Sequence, residues 1–143
     1  MYRRVLVFAF TLATLLLTTG CIPASHHPWL PYAIEEAAQQ KKPLVIEFYA
    51  TWCKPCARFE ENILKQPRVQ QALQDVVFIR YDIDSRAGRD AYLRCRARSV
   101  PTFVGIDSGG HIRLLKEGTE SSADEFLVFL KEAKAVLGTE QAR

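Results

Sequence analysis

The sequence predicts an α/β fold, a mixed central sheet with helices on both faces, and three observations carry that prediction. Short apolar and aromatic runs, Leu44 to Ala50 and Val76 to Ile83, alternate with stretches of helical period, as parallel strands joined by crossover helices require. Two further apolar runs, Thr102 to Asp107 and His111 to Lys116, flank Ser108-Gly109-Gly110, a hairpin signal that adds an antiparallel edge. The chain has 143 residues, 48% of them hydrophobic, which is enough for one buried core and too little for two.

The elements follow in order. From Tyr32 to Lys42 the apolar positions Ala33, Ile34, Ala37 and Ala38 recur at helical spacing and stop at Pro43. Leu44 to Ala50 is the first strand, and a sheet of this order places it in the middle. Lys54 to Leu64 switches to a helical period with Cys56, Phe59 and Ile63 on one stripe. Pro67 to Leu73 is a further helical piece with proline in its first turn. Ser85 to Arg96 is helical, and Ser122 with Glu125 forms a capping box ahead of an amphipathic closing helix through Phe126, Phe129, Leu130, Ala133 and Leu137.

The first twenty residues have the organisation of a secretory signal: Arg3 and Arg4, the apolar stretch Val5 to Leu17, then small residues. An apolar stretch this short covers about 20 Å as a helix, against the roughly 30 Å of a bilayer core, so export is the better reading than an uncleaved span. Leu17-Thr18-Thr19-Gly20-Cys21 resembles the lipobox of bacterial lipoproteins, which implies lipidation of Cys21 and a lipid-anchored mature protein. Ordinary cleavage and a retained anchor are the alternatives. Ile22 stands where enterobacterial lipoproteins held at the inner membrane carry aspartate, so the resemblance implies outer-membrane anchorage facing the periplasm. The proline-rich residues 21 to 31, including Ile22 to Pro31, read as a tether to a domain at 32–143. His26 and His27 within it are solvated spacers in preference to metal ligands. The formal charge is +3, and without Arg3 and Arg4 the 19 basic residues fall to 17 against 16 acidic ones. That balance gives no support for a nucleic-acid partner.

The chemistry lies in Phe48-Tyr49-Ala50-Thr51-Trp52-Cys53-Lys54-Pro55-Cys56. Cys53 falls where a strand ends and a helix begins, so unpaired N–H groups and the positive helix end favour its thiolate, and Lys54 adds a neighbouring positive charge. Cys56 follows one turn later, close enough to pair with it, and Pro55 fits the first helical turn. The pattern points to an attacking and a resolving sulfur. A zinc site competes poorly, because Cys95, His111 and the tether histidines supply no second close ligand pair. A permanent bridge competes poorly because so small a loop gains little from unfolded-state entropy. No metal or organic cofactor is expected. Glu47 is the single acidic or basic residue in Leu44 to Ala50, and burial there would raise its pKa and suit it to take a proton from Cys56. The alternative is a glutamate reaching solvent at a sheet edge.

Trp52-Cys53-Lys54-Pro55-Cys56 together with Ser99-Val100-Pro101-Thr102 resembles the thioredoxin superfamily. Lys42 to Leu137, through KPLVIEFYATWCKPC, FEENIL and PRVQQAL, more specifically resembles the C-terminal periplasmic domain of the DsbD-type disulfide reductases. The resemblance implies a thioredoxin-like fold, a cis Pro101 beside the cysteine pair, and a substrate strand bound at the Val100 backbone. Trp52, Lys54, Pro55, Val100, Pro101 and Thr102 are thereby expected to contact substrate, and Glu47 to occupy the place of a buried aspartate. It also implies a periplasmic thiol-disulfide oxidoreductase, working in the reductive direction on disulfide-containing envelope proteins and supplied by an inner-membrane thiol electron donor. A monomer is expected. An oxidant or isomerase, and a non-catalytic lipoprotein that binds envelope clients, are the alternatives.

Two features stand outside this assignment. Cys95 lies on the inward stripe of its helix and reads as a buried structural thiol, with intermolecular pairing or redox sensing as alternatives. Arg86, Arg89, Arg94, Arg96 and Arg98 crowd one segment and read as a solvated basic face, with a site for an acidic partner as the alternative.

Overall fold

The computed structural model describes residues 29–107, 109–118 and 122–138, the last three in backbone only. The signal segment, Cys21, His26, His27, Ser108 and the side chain of Leu137 lie outside the described residues. Helix α1 (Leu30–Gln40) begins two residues before the expected start, because Pro31 fits its first turn. It ends at Lys41, whose left-handed backbone (φ 53°) closes the helix ahead of Pro43.

Strand β1 (Leu44–Tyr49) lies in the interior of a four-stranded sheet of order β2-β1-β3-β4, where β2 is Val77–Asp82, β3 Thr102–Ile106 and β4 Ile112–Glu117. β1 and β2 run parallel, from Leu44 opposite Val77 to Tyr49 opposite Asp82. β3 is antiparallel to β1, and the β3–β4 hairpin is antiparallel with a register shift at Gly105/Ile106. Asp107 organises the hairpin: its buried carboxylate accepts the Gly109 and His111 N–H groups at 2.9 and 2.8 Å and pairs with Arg113. β1 takes the centre because its residues from Leu44 to Phe48 are buried on both faces.

The alternation of β1 divides the core in two. Leu44, Ile46 and Phe48 pack with Leu30, Ala33 and Ala37 of α1, and with Ala91 and Cys95 from and just beyond α4 (Arg86–Arg94). Val45 faces the other side, among Phe59, Ile63, Val69, Phe103 and Phe126. That layer comprises α2 (Lys54–Phe59), α3 (Pro67–Leu73) and α5 (Ala123–Gly138), the last capped by the Ser122 hydroxyl, which accepts the Glu125 N–H at 3.3 Å.

Two local features differ from simple helical expectation. The stretch expected as one helix from Lys54 to Leu64 is α-helical only to Phe59, after which Glu60–Leu64 forms a wider π turn closed by the Lys65 N–H donating to the Glu60 carbonyl at 3.3 Å. At the start of α4 a Cβ on Gly88 would lie 1.9 Å from the Asp82 carbonyl oxygen, so only glycine lets this turn seat on the end of β2. Ser85 completes the junction, accepting the Gly88 N–H at 2.9 Å and donating to the Asp82 carbonyl at 2.7 Å.

Phe126 is fully buried and meets the rings of Phe59, Phe103 and Phe129, with centroids 4.9, 5.4 and 6.2 Å away. Phe126→Ala removes the ring on which this layer closes. A loss of about 3–5 kcal/mol is expected, read as a lower urea midpoint at unchanged slope.

Candidate active site

β1 ends at Tyr49, and Ala50 to Trp52 turn the chain into α2. Cys53 is the N-cap of α2: its backbone is extended, its N–H donates to the Ala50 carbonyl at 3.1 Å, and its Sγ accepts the Cys56 N–H at 3.2 Å. Cys53 and Cys56 are joined in a disulfide with Cα atoms 5.3 Å apart. Both are buried, at 4% and 2% exposure, so whole-residue burial barely separates the expected attacker from the expected resolver. The asymmetry is in position: the Cys53 sulfur is the one aimed at by a helix N–H. Pro55 lies in the first turn and Lys54 is exposed beside it.

The Val100–Pro101 bond is cis, as the resemblance implies. Val100 packs with Tyr49 and Ile83 against Ala50, Cys53 and Cys56, bringing the loop and the dithiol together. The Pro101 carbonyl accepts the Gly118 N–H at 2.8 Å, which ties the loop to the end of β4. Thr102 is buried and its hydroxyl donates to the Ser99 carbonyl at 2.7 Å, so its side chain shapes the loop from within. Trp52 is 64% exposed, and its indole N–H donates to Asp84 Oδ2 at 2.8 Å.

Glu47 is fully buried on the interior strand, which removes the solvent-reaching alternative. It is not alone there. Arg80, its register partner on β2, donates from Nε to Glu47 Oε2 at 2.6 Å and from Nη1 to Glu60 Oε2 at 3.0 Å. The guanidinium also lies 4.5 Å over the Tyr49 ring. Burial raises the Glu47 pKa, and the Arg80 hydrogen bond and charge oppose that rise without cancelling it. Glu60 follows Cys56 by one helical turn, so the shared arginine links the buried carboxylate to the π turn that continues the helix of Cys56.

Arg80, Glu60 and Asp84 are the site residues that sequence reasoning did not find. A signal for one existed: Arg80 is fourth in VFIRYD, as Glu47 is fourth in LVIEFY, and two parallel strands of matched pattern place these charges opposite each other. Cys95 is buried and unpaired, and burial pushes its thiol up to about 11. Among the described residues no group of three or more His, Cys, Asp or Glu could hold a metal ion.

Fold and site together define a thioredoxin-like protein with a CxxC dithiol. A family model described as thioredoxin-like matches residues 25–108, more than half of the chain, and the chain belongs to that family. Among curated proteins it is similar to the thiol:disulfide interchange protein DsbD of Salmonella paratyphi A, 37% identical over 76 residues covering 51% of this chain and 13% of that protein. With DsbD of Ralstonia nicotianae it is 30% identical over 113 residues, 78% of this chain and 18% of that protein. The match thus spans less than a fifth of the length of these relatives. Among solved structures, the thioredoxin of Thermus thermophilus superposes with a TM-score of 0.67 at 23% identity, covering 80% of this chain and 90% of that one. The oxidised C-terminal domain of Neisseria meningitidis DsbD superposes at 0.61 and 24%, covering 73% and 92%. These two likenesses establish the fold.

A carboxyl held above its ordinary value in the folded protein binds protons that the unfolded chain releases, so Glu47 makes stability fall as pH rises from about 4.5 through its native pKa. Glu47→Gln is expected to flatten that part of the profile, measured as urea midpoint against pH. Arg80→Met should move the Glu47 carboxyl titration further up, read by carbon NMR, and cost about 3–5 kcal/mol near neutrality by leaving a buried charge unpaired.

Proposed function

We propose that this protein is an exported thiol-disulfide oxidoreductase that reduces protein disulfides. The observation that carries the reading is the Cys53–Cys56 pair at the start of α2, packed against the cis Val100–Pro101 loop. In the reduced protein the Cys53 thiolate attacks one sulfur of a client disulfide, and the client's other sulfur leaves as a thiolate. Cys56 then gives up its proton, attacks Cys53 Sγ and displaces the second client thiolate. Two electrons pass to the client, whose two thiolates take up protons, and the Cys53–Cys56 disulfide remains.

Glu47 is the proton acceptor for Cys56 in this scheme, supported by its burial, its raised pKa and its connection through Arg80 to the helix of Cys56. Val100 presents backbone to the client strand, with Pro101 and Thr102 fixing that loop and Trp52, Lys54 and Pro55 forming the opposite rim. DsbD, by its printed name, is a thiol:disulfide interchange protein. Carried to this chain, that supports thiol-disulfide exchange; envelope proteins as clients and an inner-membrane thiol protein as electron donor are the part of the proposal that the sequence resemblance supplies. A periplasmic setting with Cys21 lipidated, residues 1–20 removed and the outer membrane as anchor completes the proposal. No helix of the described residues is long and apolar enough to cross a membrane.

Cys56→Ala should trap clients on Cys53 as mixed disulfides identifiable by mass, whereas Cys53→Ser should trap none and lose insulin reduction by at least about 10³-fold. Absence of any adduct on Cys53, or an equilibrium with glutathione as oxidising as that of a dedicated oxidase, overturns reduction as the direction. For the anchor, an alkynyl fatty acid supplied to the host is expected to label the wild-type chain and to leave Cys21→Ala unlabelled.

A further inference from the structure

The basic segment noted in the sequence divides in two once its partners are known. Arg89 and Arg94 lie near carboxylates of the same region, Asp84 at 4.0 Å and Asp90 at 2.7 Å, and Arg86 stacks over Trp29. Arg96 and Arg98 are exposed, and among the described residues neither guanidinium has an ion-pair partner. Arg68, Arg80 and Arg113 elsewhere in the fold are each paired with a carboxylate.

These two arginines lie in the segment that leads into the cis Val100–Pro101 loop. Buried Ala97 separates them and anchors the segment, its N–H donating to the Tyr92 carbonyl at 3.2 Å. The Arg98 N–H donates to Glu117 Oε1 at 3.1 Å, and the loop is held again where Gly118 meets Pro101. The backbone from residue 96 to 101 is thus pinned while both cationic side chains remain outside it. Val100, two residues beyond Arg98, packs against the cysteine pair. Arg96 also occupies a left-handed position (φ 56°) that closes α4, where glycine is the unstrained choice. Two carboxylates of the surround hold hydrogen bonds of their own, Glu117 from the Arg98 N–H and Asp84 from the Trp52 indole.

We propose that Arg96 and Arg98 select client disulfides that are flanked by acidic residues. The inference rests on the oxidoreductase reading above. A client sulfur that reaches Cys53 brings its neighbouring residues along the Val100 side of the site, so aspartates or glutamates beside its cysteine pass the two guanidiniums. Complementary charge at such a rim acts on the rate of productive encounter and on the choice between clients, and salt screens it.

The test uses the full chain, reduced and freed of reductant, with two peptides that each hold one disulfide and differ only in aspartates or lysines flanking a cysteine. The readout is the ratio of their single-turnover reduction rates, which cancels any general loss of activity. At low salt the aspartate peptide is expected to react about 10-fold faster, the ratio shrinking toward one at high salt. The double variant Arg96→Gly with Arg98→Ser should bring the low-salt ratio to about one, and Arg98→Glu should favour the lysine peptide. Glycine at 96 keeps the left-handed backbone, so folding is retained. A wild-type ratio near one, or an aspartate preference that survives the double variant, overturns the selection proposal while leaving the oxidoreductase reading intact. Failure to reduce even hydroxyethyl disulfide, which is uncharged and small, overturns both.

Discussion

Burying the Glu47 charge on the interior strand is the constraint that most of this structure answers. An isolated carboxylate removed from water on both sheet faces would cost several kcal/mol, a large share of a domain's marginal stability. The fold meets that cost by setting β1 and β2 in parallel register with Arg80 opposite Glu47, and by opening α2 into a π turn at Glu60, which takes up a second edge of the guanidinium. Tyr49 covers the face of the same cation. A buried ion pair of this kind adds little net stability relative to apolar packing, but it is intolerant of a register slip, because a one-residue shift would leave two buried charges apart.

The same register fixes what lies beyond the strand ends. With β1 locked, the chain leaves Tyr49 and enters α2 at one place, and Cys53 becomes the residue whose sulfur meets the first free helix N–H. From the opposite direction β3 starts at Thr102, opposite Phe48, so the loop before it must arrive beside the cysteines. The cis bond at Pro101, the Thr102 hydroxyl and Gly118 shape that arrival. Asp84 and Gly88 complete the surround from the end of β2, the first by holding Trp52 and the second by letting α4 sit close.

How much of this could be read from the sequence follows from how local each signal is. Strand positions, the hairpin and the central place of β1 were legible because alternation and turn residues act over a few positions. The cysteine pair and the proline loop were legible because short motifs carry them. Arg80 was missed, although it sits among the apolar and aromatic residues of its strand, because its meaning depends on a pairing 33 residues away in the chain. The π turn was missed because EENIL carries the same apolar spacing in either helix type. The indole bond from Trp52 to Asp84 joins two exposed side chains, and periodicity says nothing about such pairs. Cys95 was read as buried from its stripe alone, since one helical turn is a local signal.

Cys95 has a bearing on capacity. With its thiol pushed up to about 11, only on the order of one molecule in ten thousand carries a thiolate there at neutral pH. The described domain therefore holds one working dithiol and one silent sulfur, and it stores a single pair of electrons. Such a protein has no reserve. In the reductive role proposed above it is spent after each client, and the ceiling on its traffic is set by how often it is recharged, however fast the exchange at Cys53 becomes.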